Sequence, residues 1–267
     1  IGSFSRKSMR ELTILGGGIT GLTAAYIAAK QGCRVTVIEA APEIGGLVGT
    51  FPIAGTHLEM FYHHFFTHDV ELRWLLKELG IEGSLQFYRG TMGFFKNDRI
   101  YDFNQPADLL GFSPLKWVDK LRFLASAYHL GHLVDWKKME GVAALAWLER
   151  FAGAAVTDSI WRPMMEVKFG VHAQRVPLAW LIGRLRQRLH SRQQGEEKLG
   201  YLRGSLRTLN DALVASLKTL GVDIRTSCPV RSLVVKNNEL KGLVTDAGDI
   251  TGGDFLATLP TPHLATR

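Results

Sequence analysis

The chain has 267 residues, 46% of them apolar, enough to bury a core in one large domain or two smaller ones; this excludes an intrinsically disordered protein. A balance of 32 Lys and Arg against 25 Asp and Glu leaves a formal charge of +7, which favours anionic partners such as phosphates, carboxylates or acidic lipid. No basic run with interleaved aromatics points to nucleic acid, and Cys33 and Cys228, without CxxC spacing or a histidine partner, suggest neither disulfide nor metal centre but a reducing, cytoplasmic setting.

The opening stretch "IGSFSRKS" is polar and does not read as a secretory signal; Met9 reads as the natural start. Residues 11–15, "ELTIL", predict a short apolar strand. Residues 20–31 repeat Ala and Leu at helical spacing until Gly32, and residues 34–40, "RVTVIEA", predict a β-branched second strand. A strand, glycine turn, helix and strand in this order predict two parallel strands joined by a right-handed crossover, with a ligand at the carboxyl edge of the sheet.

Residues 70–79 predict an amphipathic helix, and residues 91–103 a hairpin turning at Asn97 and Asp98. Between about 106 and 192 the pattern becomes several helices rich in Leu, Ala and Trp. The apolar run 123–134 is shorter than the roughly 20 residues a membrane span needs. After the polar stretch "SRQQGEEKLG", read as a mobile loop, residues 205–220 predict a helix, followed by short strands with turns at Asn237-Asn238 and Ala247-Gly248. "DFLATLP" reads as a last strand and loop without a closing helix, so the chain is expected to be a piece of a longer protein.

The turn after the first strand reads Gly16, Gly17, Gly18, Ile19, Thr20, Gly21, in the strand-to-helix context that a dinucleotide fingerprint requires. Gly16 permits the tight turn, Gly18 removes a side chain where pyrophosphate approaches, and Gly21 lets the helix lie close to the sheet. The helix amino terminus offers N–H groups and positive dipole to phosphate. Glu39, ending the second strand, suits ribose hydroxyls and disfavours the 2′-phosphate of NADP.

"VIEAAPEIGGLVGTF" after this unit resembles the flavin-binding amine oxidase superfamily, which includes protoporphyrinogen oxidases, phytoene desaturases and UDP-galactopyranose mutases. The resemblance implies a Rossmann-like α/β FAD-binding domain interrupted by a mostly helical substrate domain. It places Ala40 beside Glu39, and Gly45, Gly46, Leu47 and Val48 in a segment along the flavin side of FAD. Leu47 stands where the family often has Arg, so the expected contact there is through the backbone. "YLRGSLRTLNDALVASLKTLGVDIRTSCPVRSL" resembles the helix and strand leading to a valine at the adenine, here Val230, although Gly204-Ser205 replaces the family's Gly-Gly. "DFLATLPTP" resembles a turn beside the cofactor and implicates Thr258 and Pro260. The resemblance is strong over roughly 10–90 and 200–260 and loose over the helical insertion. The family's late Gly-Asp segment and final helix have no match after Pro260, so weak or absent flavin retention is expected of this chain. The implied division is 9–90 and 196–267 for FAD, with 91–195 for substrate.

Catalytic groups are hard to read, because flavin carries the redox step itself. In "THLEMFYHHFFTHD", which holds His57, Glu59, Tyr62 and His68, the adjacent His63 and His64 would face opposite sides of a strand and do not suit one metal; they are candidates for lining an active site, with packing as the plainer account. In "RLRQRLHSR", Arg184 and Arg188 share a helix face and are candidates for an anionic substrate, against the alternative of a solvated face. "IWRPMMEVKFG" and Trp180 read as pocket wall or core. "WVDKLRFLASAYHLGHLVDW" reads as a helix packed within the helical domain or one lying on a membrane surface.

The resulting expectation is an FAD-dependent oxidoreductase of the amine oxidase and protoporphyrinogen oxidase type, oxidising an anionic or lipophilic small molecule by hydride transfer to flavin. Two alternatives stand beside it: a UDP-galactopyranose mutase-like flavoenzyme without net redox, and a flavin-inactive binding or scaffold protein. The expected location is cytoplasmic, with peripheral membrane contact open and no transmembrane segment.

Overall fold

A computed structural model describes residues 9–190, 192–193 and 196–265. The stretch "IGSFSRKS" and, within the expected loop, Ser191, Gln194 and Gly195 lie outside the described residues. The chain divides into two compact units. The first takes the chain up to Phe65, Asp69–Gln86 and the chain from Tyr201 on; the second takes Phe66–His68 and Phe87–Gly200.

In the first unit β1 (Glu11–Leu15), α1 (Ile19–Lys30) and β2 (Arg34–Ile38) form the expected crossover, β2 ending two residues earlier than its pattern suggested. The sheet is parallel throughout, in the order Asp223–Arg225, β2, β1, Asp254–Ala257. Its two central strands, β1 and β2, carry β-branched residues and are buried because helices cover them: Leu22, Ala25 and Tyr26 of α1 and Leu209, Leu213 and Leu217 of helix Arg207–Thr219 share one core with Ile14, Val35 and Val37. A three-stranded antiparallel sheet follows, Val230–Lys236, Glu239–Thr245 and Ile250–Thr251. Its first turn falls at Asn237 and Asn238, both left-handed at φ 51° and 60°, which asparagine tolerates well.

The sequence pattern missed the hairpin Thr50–Ile53 and Thr56–Glu59. Most of its side chains are exposed on both faces, so no apolar alternation announces it. Its end is fixed by Glu59. The Tyr201 hydroxyl donates to the Glu59 carboxylate at 2.8 and 2.7 Å, and the backbone N–H of Leu206, capping helix Arg207–Thr219, donates to it at 2.7 Å. A carboxylate at that helix end also meets the positive end of its dipole. Burial, and then the hydrogen bond to Glu59, push the Tyr201 phenol up to about 12.

The second unit is mostly helical, around Phe112, Leu130, Leu145, Leu148, Ile160, Leu178 and Ile182. Its hairpin Gly93–Lys96 and Arg99–Asp102 turns at Asn97 and Asp98, as the sequence predicts. Trp161 and Met165 lie in this core with Phe169 and Trp180 packed against it, so this segment is core rather than pocket wall. Two expectations need correction. Part of the supposed loop is a strand, Glu196–Leu202, paired antiparallel with Arg192–Gln193 and tied by the Gly90 N–H to the Glu197 carbonyl. Backbone pairing rather than side-chain alternation forms it. The chain after Pro260 continues as a short helix, Thr261–Ala265, since Pro262 in a first turn needs no N–H partner.

A phenol held near pKa 12, against an ordinary value of 10.0, makes the folded state bind its proton more tightly than the unfolded chain does. That share of stability is complete below pH 10 and is lost as pH rises towards 12. Thermal melts across this range should show the loss in the parent protein and a flatter profile in Tyr201→Phe, with ultraviolet titration of tyrosinate missing the latest-titrating phenol in the variant.

Candidate functional site

Within the first unit, the glycine turn is closely packed at Gly16 and Gly21 and open at Gly18. Gly16 has φ +109°, a left-handed conformation that a side chain would strain, and a Cβ there would lie 2.7 Å from Thr258 Oγ1. A Cβ on Gly21 would lie 2.0 Å from the Gly16 carbonyl oxygen, so α1 approaches the loop as only glycine permits. Gly18 differs from both: its Cβ would meet nothing nearer than the Gly46 Cα at 3.9 Å, leaving open space before it. Gly18 is also the N-cap of α1, with no side-chain cap and no acidic residue in the first turn. The first-turn N–H groups, at half-buried Ile19 and exposed Thr20, therefore meet no capping side chain and no acid within the helix itself.

Glu39 turns back onto this loop. One carboxylate oxygen accepts the Gly17 N–H at 2.7 Å and the other the Ala41 N–H at 2.8 Å, fixing the side chain at the end of β2 beside exposed Ala40. Each oxygen keeps lone pairs for further donors.

The second glycine cluster locks onto the first. The Gly45 N–H donates to the Gly17 carbonyl at 2.8 Å, and Gly18 and Gly45 form a parallel bridge. Gly46, at φ +55°, brings its own Cβ position within 3.1 Å of the Gly18 Cα. Leu47 then points outward and Val48 inward. Below Gly45 sits Asn210, which the sequence reading missed: its Nδ2 donates to the Val48 carbonyl at 3.2 Å, and its Oδ1 is buried without a hydrogen-bond partner. The available signal was a polar residue on the buried stripe of Leu206, Leu209, Leu213 and Leu217.

The late segments close in from the other side. Thr258 donates its hydroxyl to the Leu15 carbonyl at 3.0 Å, and its N–H reaches the same oxygen at 2.9 Å. Val230 packs with Leu15, Ile38 and Cys228, while Pro260 is exposed. The structure thus gathers Gly16, Gly17, Gly18, Gly21, Glu39, Gly45, Gly46 and Thr258 around one loop. Such an arrangement can hold an anion against backbone N–H groups and hydroxyls against a fixed carboxylate.

His63 Nδ1 lies 2.7 Å from the Phe61 carbonyl, and the His64 ring, its Nδ1 buried, packs 5.3 Å from that of Tyr62. His57 Nε2 lies 2.9 Å from the Arg207 guanidinium. Among the described residues, no group of three His, Cys, Asp or Glu is placed to hold a metal.

Within the second unit a cavity of about 460 Å³ has walls from Phe103, Leu109, Phe123, Leu185 and Leu189 and a rim with Arg188 and Glu197. Arg188 lies 3.6 Å from one Glu197 oxygen, while the other, Oε1, is buried without a hydrogen-bond partner. Arg184 is elsewhere, donating to Gln187 at 2.8 Å and stacked by Trp180. Arg186 donates to the carbonyls of Gly131 and Val134, a structural role. Of the two arginine candidates, Arg188 lines this cavity and Arg184 does not.

Known proteins resemble this chain in sequence and fold. The sequence model of the flavin containing amine oxidoreductase family matches residues 19–267. Coproporphyrinogen III oxidase of Staphylococcus aureus is 21% identical over 95% of this chain and 61% of its own length. A zeta-carotene desaturase of Zea mays is 37% identical over 32% of this chain and 15% of that enzyme. The chain therefore spans less than two thirds of either relative. Among solved structures, a protein of Exiguobacterium sp. proposed to be a protoporphyrinogen oxidase superposes with a TM-score of 0.71 at 20% identity, over 97% of this chain and 61% of that one. A putrescine oxidase bound to putrescine gives 0.68 at 19%, over 97% and 59%. At such identities the structures establish a shared fold, a mixed α/β architecture with a parallel sheet. The match of the family model over almost the whole chain goes further: this protein belongs to the flavin-containing amine oxidoreductases.

Proposed function

We propose that the chain is the FAD-binding and substrate-binding part of an FAD-dependent oxidoreductase, with residues 9–90 and 196–267 holding FAD and 91–195 receiving the substrate. The observation that carries this reading is the pair of interlocked glycine clusters in front of an uncapped helix. The open space at Gly18 and the free dipole end of α1 fit a pyrophosphate. Glu39, already held by two backbone N–H groups, fits ribose hydroxyls and repels a 2′-phosphate. Gly45 and Gly46 let the main chain pass a flat ligand closely, and the unpartnered Asn210 Oδ1 beside them is an acceptor in want of a donor. Val230, Thr258 and Pro260 complete the proposed set, with Leu47 and Val48 contributing backbone.

When bound, FAD supplies the hydride acceptor for oxidation of the organic substrate. The chain's own work is to bind, orient and exclude water. Relatives are named for a porphyrinogen, a carotenoid and putrescine, so the family alone does not choose the substrate. The cavity of the second unit supports a molecule with an apolar body and an anionic group at Arg188.

The test is the visible spectrum of the purified full-length protein, followed by anaerobic addition of candidate amines and porphyrinogens. A flavin band that bleaches with one of them supports the reading, and a protein without flavin overturns it. Gly18→Ala should cost about 1 kcal/mol of stability or less, yet lower flavin content at least about tenfold. Gly21→Ala, meeting the Gly16 carbonyl, should instead fail to fold, and circular dichroism separates the two. In steady-state kinetics with an anionic substrate, Arg188→Ala should raise KM about tenfold or more with kcat little changed, whereas Arg184→Ala should leave both alone.

A further inference from the structure

Helix Trp117–Tyr128 is turned inside out. Its polar Ser126 is fully buried and Asp119 is 7% exposed, while Trp117 is 66% exposed, Leu121 65%, Tyr128 60% and Leu124 40%. These four recur at i, i+4, i+7 and i+11, one stripe of the helix, with exposed Val118 beside it. The inward polar groups are satisfied, which is what allows the inversion. Ser126 donates to the Phe123 carbonyl at 2.8 Å, and Asp119 lies 3.3 Å from Arg122. The expectation that this helix buries its apolar residues within the helical unit is therefore corrected: its apolar arc faces solvent.

The patch extends beyond the helix. Lys120 Nζ donates to the Leu110 carbonyl at 2.7 Å and sits 4.9 Å from the Trp117 ring, tying the 62% exposed Leu110 to the start of the stripe. After the helix, Leu133 and Trp136 are also exposed. A helix stripe of large apolar side chains facing water is uncommon on a monomeric protein.

We propose that this face docks on an anionic lipid surface. The arc from Leu124 through Trp117, Tyr128 and Leu121 to Val118 contains no charge, while exposed Lys116, Arg122, Lys137 and Lys138 flank it, against exposed Asp135 and Glu140. An uncharged stripe of Trp, Tyr and Leu with a basic collar is the composition of a helix lying in the membrane interface. The 12-residue helix, about 18 Å long, suits lying in the plane, and no helix among the described residues is long and apolar enough to cross. Leu124 also lines the cavity of the second unit, so the docking face runs to the rim of a ligand-sized space.

Flotation of the full chain with phosphatidylcholine vesicles, with and without phosphatidylglycerol, tests this independently of flavin content. Anionic vesicles should carry the protein, less so at high salt, and Leu121→Glu and Trp117→Ala should each lower the partition coefficient about tenfold or more. Val167→Glu, altering a 91% exposed valine off the patch, should leave it unchanged. Equal partition of all variants, or no binding to anionic vesicles, would overturn the proposal. So would a dimer that ignores vesicles and that Leu121→Glu dissociates, since a second copy would then cover the face.

Discussion

A methyl group on Gly21 would stand 2.0 Å from the Gly16 carbonyl oxygen, closer than any nonbonded contact allows. Because glycine stands there, α1 lies directly against the first loop, and its uncapped end points along the carboxyl edge of the sheet. Everything else at the site is arranged on that approach. Glu39 reaches the Gly17 N–H because β2 ends beside the loop, and Gly45 reaches the Gly17 carbonyl because no side chain intervenes. The second cluster is in this sense a second layer on the first, with Asn210 as its support from helix Arg207–Thr219.

Fixed acceptors recur in the first unit. Glu59 ends a strand and Glu39 directly follows one, and each accepts a backbone N–H from a distant part of the chain, Leu206 for Glu59 and Gly17 for Glu39. Glu59 is occupied fully enough, by Tyr201 and Leu206, to act as a joint. Glu39 meets one N–H at each oxygen and retains capacity for a ligand. The two carboxylates serve two donors each, and they differ in what those donors join: Glu59 ties its hairpin to Tyr201 and Leu206, while Glu39 is held against the glycine loop.

The parts legible in sequence were those whose chemistry is local. β1, α1 and β2 follow from periodicity, Asn97-Asp98 and Asn237-Asn238 from turn preference, and the glycine loop from its spacing. The illegible parts depend on distant partners. The hairpin around Ala54 and Gly55 exposes most of its residues on both sides, and strand Glu196–Leu202 is defined by pairing, so neither carries a burial pattern. Asn210 makes sense only through Val48, 162 positions away. Helix Trp117–Tyr128 was readable as a helix, but period alone gives a stripe and not the direction it faces. Arg184 and Arg188 likewise share a face by spacing, and only the fold sends one of them to a cavity.

The central strand β1 is completed on one side by β2, which follows almost at once, and on the other by Asp254–Ala257, near the far end of the chain. Thr258 seals that pairing through a hydrogen bond spanning 243 positions. During synthesis, then, one flank of β1 stays open until residues 254–257 have emerged. The second unit, built largely from contacts within Phe87–Gly200, can fold first. The glycine loop sits at the end of that unclosed strand. Thr258 reaches it only with the pairing of Asp254–Ala257, which makes order around the loop a later event than formation of the crossover that begins it.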